Sequence, residues 1–230
     1  MKITYYGHAC LGIEMNGKNL LFDPFIKDNE LAKDIDIDSI PADYILLSHG
    51  HGDHIADAEY IAKRTGAKII SNFEIVTWYG EKGIDGHPMN IGGKWKFDFG
   101  TVKYVTAIHS SVLPDGTYGG NPGGFVIWDE NTCFYFAGDT SVTYDMKLIP
   151  QLCPKLDFAI LPLGDNFTMG IEEALLASDF IQCHKIIGNH YDTFGYIKID
   201  HKSAQNAFAN SQKELILLPI GNSINLLDDK

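Results

Sequence analysis

The chain has 230 residues, 45% hydrophobic and 21% charged, which suits a single globular domain over residues 1–230 with a substantial core. A net charge of −12 with one arginine, Arg64, argues against a nucleic-acid partner held by clustered cations. No apolar run reaches the roughly 18 residues of a membrane span, and the start MKITYYGHAC lacks an apolar signal core. Cys10, Cys133, Cys153 and Cys183 form no C-x-x-C pair, so the expectation is a cytoplasmic protein with reduced cysteines.

The opening reads as short strands at Ile3–Tyr6, Leu11–Met15 and Leu20–Phe22, with Asn16-Gly17 as a type I′ hairpin turn. Tyr44–Leu47, a helix around Ile55–Arg64 closed by Gly66, and Lys68–Ile70 then form a βαβ pattern. A second β-rich section runs through Trp95–Phe99, Val102–Ile108, Gly124–Trp128 and Cys133–Ala137. Alternation returns with strand Phe158–Leu161, helix Ile171–Cys183, strand Lys185–Ile187, helix Ser203–Asn210 and strand Leu215–Leu218. A β-meander followed by βα units, twice over, predicts two mixed sheets packed face to face with helices outside.

The chemistry concentrates in His49-Gly-His51-Gly-Asp53-His54, directly after the apolar run Tyr44-Ile-Leu-Leu47. Residues two apart in extended chain point the same way, so His49 and His51 can share one metal. As the chain turns into a helix, Asp53 and His54 swing towards a second. Three further candidates follow predicted strands: His109 after Val102–Ile108, Asp139 after Cys133–Ala137, and His190 after Lys185–Ile187. In α/β sheets, functional groups gather at the carboxyl ends of strands, so four such ends carrying imidazoles or carboxylates point to one metal site.

These residues make the chain resemble the metallo-β-lactamase superfamily, whose H-x-H-x-D-H run is matched by His49, His51, Asp53 and His54. The resemblance implies a four-layer αββα sandwich. It also implies one metal held by His49, His51 and His109, a second held by Asp53, His54 and His190, and Asp139 bridging both. The segments Ile3–Ala9, Met89–Gly93, Phe167–Gly170 and Asn189–Phe194 are similar to the UPF0173 metal-dependent hydrolases, close to the ascorbate-6-phosphate lactonase branch. Class B β-lactamases typically lack the Asp matched by Asp139, and di-iron flavoproteins typically carry Glu where His51 stands. Both departures favour a hydrolase that does not act on β-lactams.

The expected cofactors are two divalent ions, zinc first, with manganese or iron as alternatives. The expected chemistry is attack by a hydroxide bridging the two metals on an ester, lactone or phosphodiester, with Asp53 orienting it and accepting a proton. The site would carry about one net positive charge, suited to an anionic or ester-like small molecule. His8, at the end of the first strand, is a candidate leaving-group acid or supporting residue. Asn166 and Thr168 are candidate substrate contacts, Thr168 being also a candidate cap for the helix near Ile171. The long segment Ser110–Gly124 is a candidate substrate loop. His87, in an expected turn before Pro88, together with His184 and His201, is read as structural or exposed. Homo-oligomerisation is left open. The alternative from another class is a non-catalytic metal-binding or sensor protein with the same ligands.

Overall fold

In a computed structural model, residues 1–226 are described, so the last four residues of the expected domain lie outside them. The chain forms two compact units, one built from residues 1–90, 110–122 and 219 onward, the other from 91–109 and 123–218.

The first unit is a seven-stranded mixed sheet. β1 (Lys2–Gly7), β2 (Cys10–Met15) and β3 (Lys18–Phe22) form the expected meander. Asn16 and Gly17 have φ of 50° and 75°, the positive values that a type I′ turn requires. β4 (Tyr44–Leu46), β5 (Lys68–Asn72) and β6 (Gly86–Met89) extend it in parallel, and β14 (Ser223–Asn225) closes its other edge against β1. The apolar alternation of β1 and β2 buries Ile3, Tyr5, Leu11 and Ile13. Each such side chain contributes roughly 1.5–3 kcal/mol relative to exposure.

The single helix expected at Ile55–Arg64 is instead two, α1 (Gly52–Ile55) and α2 (Ala58–Thr65), the second ended by left-handed Gly66. The break falls at Asp57, whose carboxylate accepts from the backbone N–H groups of Ile26 (2.6 Å) and Lys27 (3.0 Å). No element is expected between Ile70 and Trp95, yet the chain forms α3 (Phe73–Gly80) and β6 there. Asn72 explains α3, because its side chain accepts from Ile75 N at 2.9 Å and caps residues whose own propensity favours strand. His87 therefore lies in a strand, paired with Ile70 in parallel register, and Pro88 is tolerated because β6 is an edge.

The second unit is another seven-stranded mixed sheet. β7 (Lys94–Lys96), β8 (Thr101–Thr106), β9 (Gly123–Trp128) and β10 (Cys133–Phe136) are antiparallel; β11 (Phe158–Pro162), β12 (Lys185–Asn189) and β13 (Glu214–Ile216) continue in parallel. β10 and β11 are buried at every position, and Phe134 stacks on Phe158 at 5.0 Å. Continuous apolar runs are what parallel strands covered on both faces demand. The helices of this unit are α4 (Ile149–Leu152), α5 (Ile171–Phe180) and α6 (His201–Asn210). The expected strand Trp95–Phe99 shortens to β7, all three residues of which are exposed.

All four cysteines are free thiols, and burial pushes Cys10, Cys133 and Cys183 up, Cys183 to about 11. Among the described residues no helix is long and apolar enough to cross a membrane.

Candidate metal centre

The first unit gathers six side chains. β4 ends at Leu46, and Leu47 N still bonds Ile70 O at 3.0 Å before the chain leaves the sheet. His49 follows, fully buried, with His51 as the N-cap of α1. Nε2 of His49 lies 3.0 Å from Nδ1 of His51, the convergence expected of residues two apart in extended chain. The opposite nitrogen of His49, Nδ1, meets Ser48 Oγ at 3.0 Å.

In the first turn of α1, Asp53 Oδ2 lies 3.9 Å from His54 Nε2 and 3.1 Å from His8 Nε2. His8 is 0% exposed and has φ of 53°, a conformation that non-glycine residues adopt at some cost. The bend at Gly7 and His8, where the β1–β2 register shifts, turns the imidazole out of the strand, and Tyr5 Oη donates to His8 O at 3.0 Å. His8 is thus brought beside Asp53 and His54 within this unit.

Asp23 is the residue sequence reasoning missed. It follows β3 and is fully buried; Oδ2 accepts from Ser48 Oγ (2.6 Å) and faces His54 Nδ1 (2.8 Å), while Oδ1 accepts from Ser48 N (2.8 Å). Burial pushes its carboxyl above the usual range, opposed by the His54 and Ser48 contacts. A carboxylate on the far nitrogen of an imidazole is the arrangement that orients a metal ligand, fixing Nδ1 and turning Nε2 towards Asp53. The signal was available, since Asp23 also ends a strand.

The second unit contributes His109, Asp139 and His190. Asp139 Oδ2 lies 3.0 Å from His190 Nε2 and 3.6 Å from His109 Nε2, so one carboxylate oxygen serves two imidazoles. Gly138, with φ of 63°, makes the turn from β10 that aims Asp139. β8 ends at Thr106, three residues before His109, the same spacing that separates Phe136 at the end of β10 from Asp139. Two further bonds hold the segment before His109: Ile108 N donates to Thr140 Oγ1 (3.0 Å), and Ser141 N donates to Ile108 O (3.2 Å). His190 follows β12 directly, with φ of 53°. Its carbonyl is packed so closely that a Cβ on Gly164 would come within 2.3 Å of it.

Asn166 and Thr168 lie in the loop after β11. Asp165 and Asn166 are consecutive left-handed residues, with φ of 57° and 48°. Thr168 does not cap α5; the cap is Gly170, whose N–H is accepted by Glu173 Oε2 at 3.2 Å. The segment 110–122 belongs to the first unit and is stapled there. Ser111 Oγ donates to Gly119 O (2.8 Å), and Asn72 Nδ2 donates to the same carbonyl (2.7 Å). Ser110 Oγ lies 3.3 Å from His51 Nε2. His184 and His201 are exposed, the latter paired with Asp192 at 2.7 Å.

The donor chemistry fits a borderline divalent ion. Imidazoles and carboxylates converge, cysteine is absent from both sets, and an aspartate backs His54.

A fold of two mixed sheets and helices, with an H-x-H-x-D-H turn after a parallel strand, defines a class, and the family model "Beta-lactamase superfamily domain" matches residues 2–190. The chain is 62% identical over 226 residues to a UPF0173 metal-dependent hydrolase of Flavobacterium johnsoniae, covering 98% of this chain and 100% of that one. It is 49% identical to another from Methylacidiphilum infernorum, with the same coverage. Among solved structures it is similar to Igni18, a metallo hydrolase from the archaeon Ignicoccus hospitalis, with TM-score 0.88, 33% identity and 97% of both chains covered. The chain belongs to the UPF0173 metal-dependent hydrolase family of the beta-lactamase superfamily.

Proposed function

We propose that residues 1–230 act as one dinuclear metal-dependent hydrolase domain, cleaving an ester, lactone or phosphodiester of a small molecule. In this reading His49, His51 and His109 would hold one ion, Asp53, His54 and His190 the other, and Asp139 would serve both. The observation that carries it is the approach of His49 Nε2 to His51 Nδ1 at 3.0 Å. At most one proton fits between two such nitrogens, so neutral imidazoles in this pose suit a shared cation.

Divalent ions held there, zinc ahead of manganese or iron, supply Lewis acidity and bring the ionisation of water close to neutral pH. Asp53 takes the proton of the attacking water and passes it to the departing oxygen. His8 keeps that carboxylate oriented through Nε2 and is the second candidate for protonating the leaving group. Asn166 and Thr168 contact the substrate. The likeness to the ascorbate-6-phosphate lactonase branch puts lactones first among substrates to test. Four free thiols support a cytoplasmic setting.

The test is metal analysis and titration of the purified protein, followed by a panel of lactones, esters and phosphodiesters. The expected result is two ions per chain and turnover that Asp53→Ala abolishes while the fold persists. Absence of metal binding, or a loaded protein that cleaves nothing in the panel, overturns the reading; loaded but inert protein favours a sensor.

A further inference from the structure

We infer that the second unit carries a recognition wall for a planar, aryl-bearing group of the substrate, made by Phe167 and Tyr196, with Thr168 the next residue along the chain. The inference rests on the hydrolase reading above and names the substrate class for it.

Phe167 and Tyr196 are 51% and 79% exposed, yet their rings face each other edge to face with centroids 6.4 Å apart. Large apolar side chains brought together at the surface mark binding sites more often than scattered ones. Their placement says what they would bind. Phe167 lies in the loop after β11 and Tyr196 in the loop after β12, neighbouring parallel strands. β12 also leads into His190, and β10, on the other side of β11, leads into Asp139. The Phe167 loop is tied to the Asp139 segment, because Met169 N donates to Thr140 O at 3.1 Å. The two rings thus rise from the strand ends that carry His190 and Asp139.

The backbone that presents Phe167 is unusual. Asp165 and Asn166 both occupy the left-handed region, which aspartate and asparagine adopt more readily than other residues that carry a Cβ. Asn166 N donates to Asp165 Oδ1 at 2.7 Å, and Asp165 N donates to Met169 O at 3.0 Å, which locks the turn. A turn locked this way holds the ring at the surface although burial would favour it.

The independent sign of a ligand is Thr168. It is 8% exposed, and its Oγ1 is a buried hydroxyl without a hydrogen-bond partner among the described residues. A buried hydroxyl left unpaired is destabilising, and a hydrogen bond from a ligand oxygen would offset that. An aryl group against the rings and an ester or amide oxygen on Thr168 satisfies both features.

The experiment compares ethyl phenylacetate with ethyl cyclohexylacetate, followed by acid release at constant pH, on the zinc-loaded protein, for the parent, Phe167→Ala/Tyr196→Ala, Tyr196→Phe and Tyr144→Ala. Tyr144 is an exposed aromatic elsewhere in the same unit and serves as the control. The parent is expected to favour the aryl ester by about tenfold in KM. The double variant loses that preference through KM with kcat within about twofold, while Tyr196→Phe and Tyr144→Ala keep it. A parent without the preference, or a double variant that retains it, overturns the inference. If neither ester is cleaved, the hydrolase reading stands or falls on the wider panel of lactones and phosphodiesters, and the wall is judged by binding of phenylacetamide against cyclohexylacetamide, followed by NMR. The same tenfold ratio then supports the wall, and a ratio near one overturns it.

Discussion

The two donor sets are built by different means. In the first unit, four of the six side chains lie within six consecutive residues, and two of them, His49 and His54, are held by a buried network of Ser48 and Asp23. In the second, three side chains come from three separate segments, and backbone conformation does the aiming: left-handed Gly138 and His190, and the Thr140 clip beneath Ile108. The first set is therefore exposed to loss of a single carboxylate. The second is exposed to changes in backbone packing.

Removing one member of each set makes the sharpest contrast. Asp53→Ala and Asp139→Ala are both expected to lower kcat/KM by about a thousandfold or more, with Asp53→Ala weakening the binding of one ion and Asp139→Ala that of both. Equal loss of both ions in the two variants would break the distinction between an aspartate that serves one ion and one shared by two.

Next in size is Asp23→Ala, which strands Ser48 N, Ser48 Oγ and His54 Nδ1 in the interior. A loss of about 3–5 kcal/mol in stability is expected, read from chemical denaturation. Asp23→Asn, which keeps the shape, should retain the fold and weaken metal affinity about 10–100-fold. Unchanged affinity in Asp23→Asn would show that the network serves the core alone.

In the second unit the matching experiment is Gly164→Ala. The added methyl would meet His190 O at 2.3 Å and Ile197 Cβ at 2.8 Å, so a cost of about 1–3 kcal/mol is expected with a disturbed His190. A neutral outcome would mean that the strand end yields more than the first unit's network does.

The smallest effect concerns the 110–122 segment. Asp115 Oδ2 accepts from Trp78 Nε1 (2.7 Å) and Oδ1 from Thr117 N (2.9 Å), which hold its carboxyl down at about 2 against 3.8. A carboxylate depressed in the folded state stabilises above its unfolded pKa, and that contribution is lost as pH falls from about 4 towards 2. Trp78 fluorescence should report loosening of this segment in that window in the parent, and no such step in Asp115→Asn.

Legibility followed the same division. The His49–His54 run could be read because its ligands are sequence neighbours and the apolar run before it announced a buried strand. Asp139 and His190 could be read because each follows a strand whose buried pattern is continuous. Asp23 escaped because its role depends on a contact with His54 across 31 residues. His109 could be read because it follows β8, but the Thr140 bond that holds Ile108 beside it could not, since it joins residues 32 apart. α3 stayed hidden because Phe-Glu-Ile-Val-Thr-Trp-Tyr favours strand, and only the Asn72 cap reverses that. The aromatic pair Phe167 and Tyr196 was invisible to spacing, as the residues meet only through neighbouring strand ends.

One outer strand has a consequence of another kind. β7 ends the second sheet with Lys94, Trp95 and Lys96 all facing solvent, in a chain that is otherwise strongly acidic. An unpaired edge with an exposed tryptophan is a template on which another chain can add a strand, and flanking lysines are a common guard against it. Charge-removing changes such as Lys94→Val with Lys96→Val would leave the candidate ligands untouched yet favour self-association and fibril-like aggregates. Shelf life in concentrated solution, as much as catalysis, depends on those two amines.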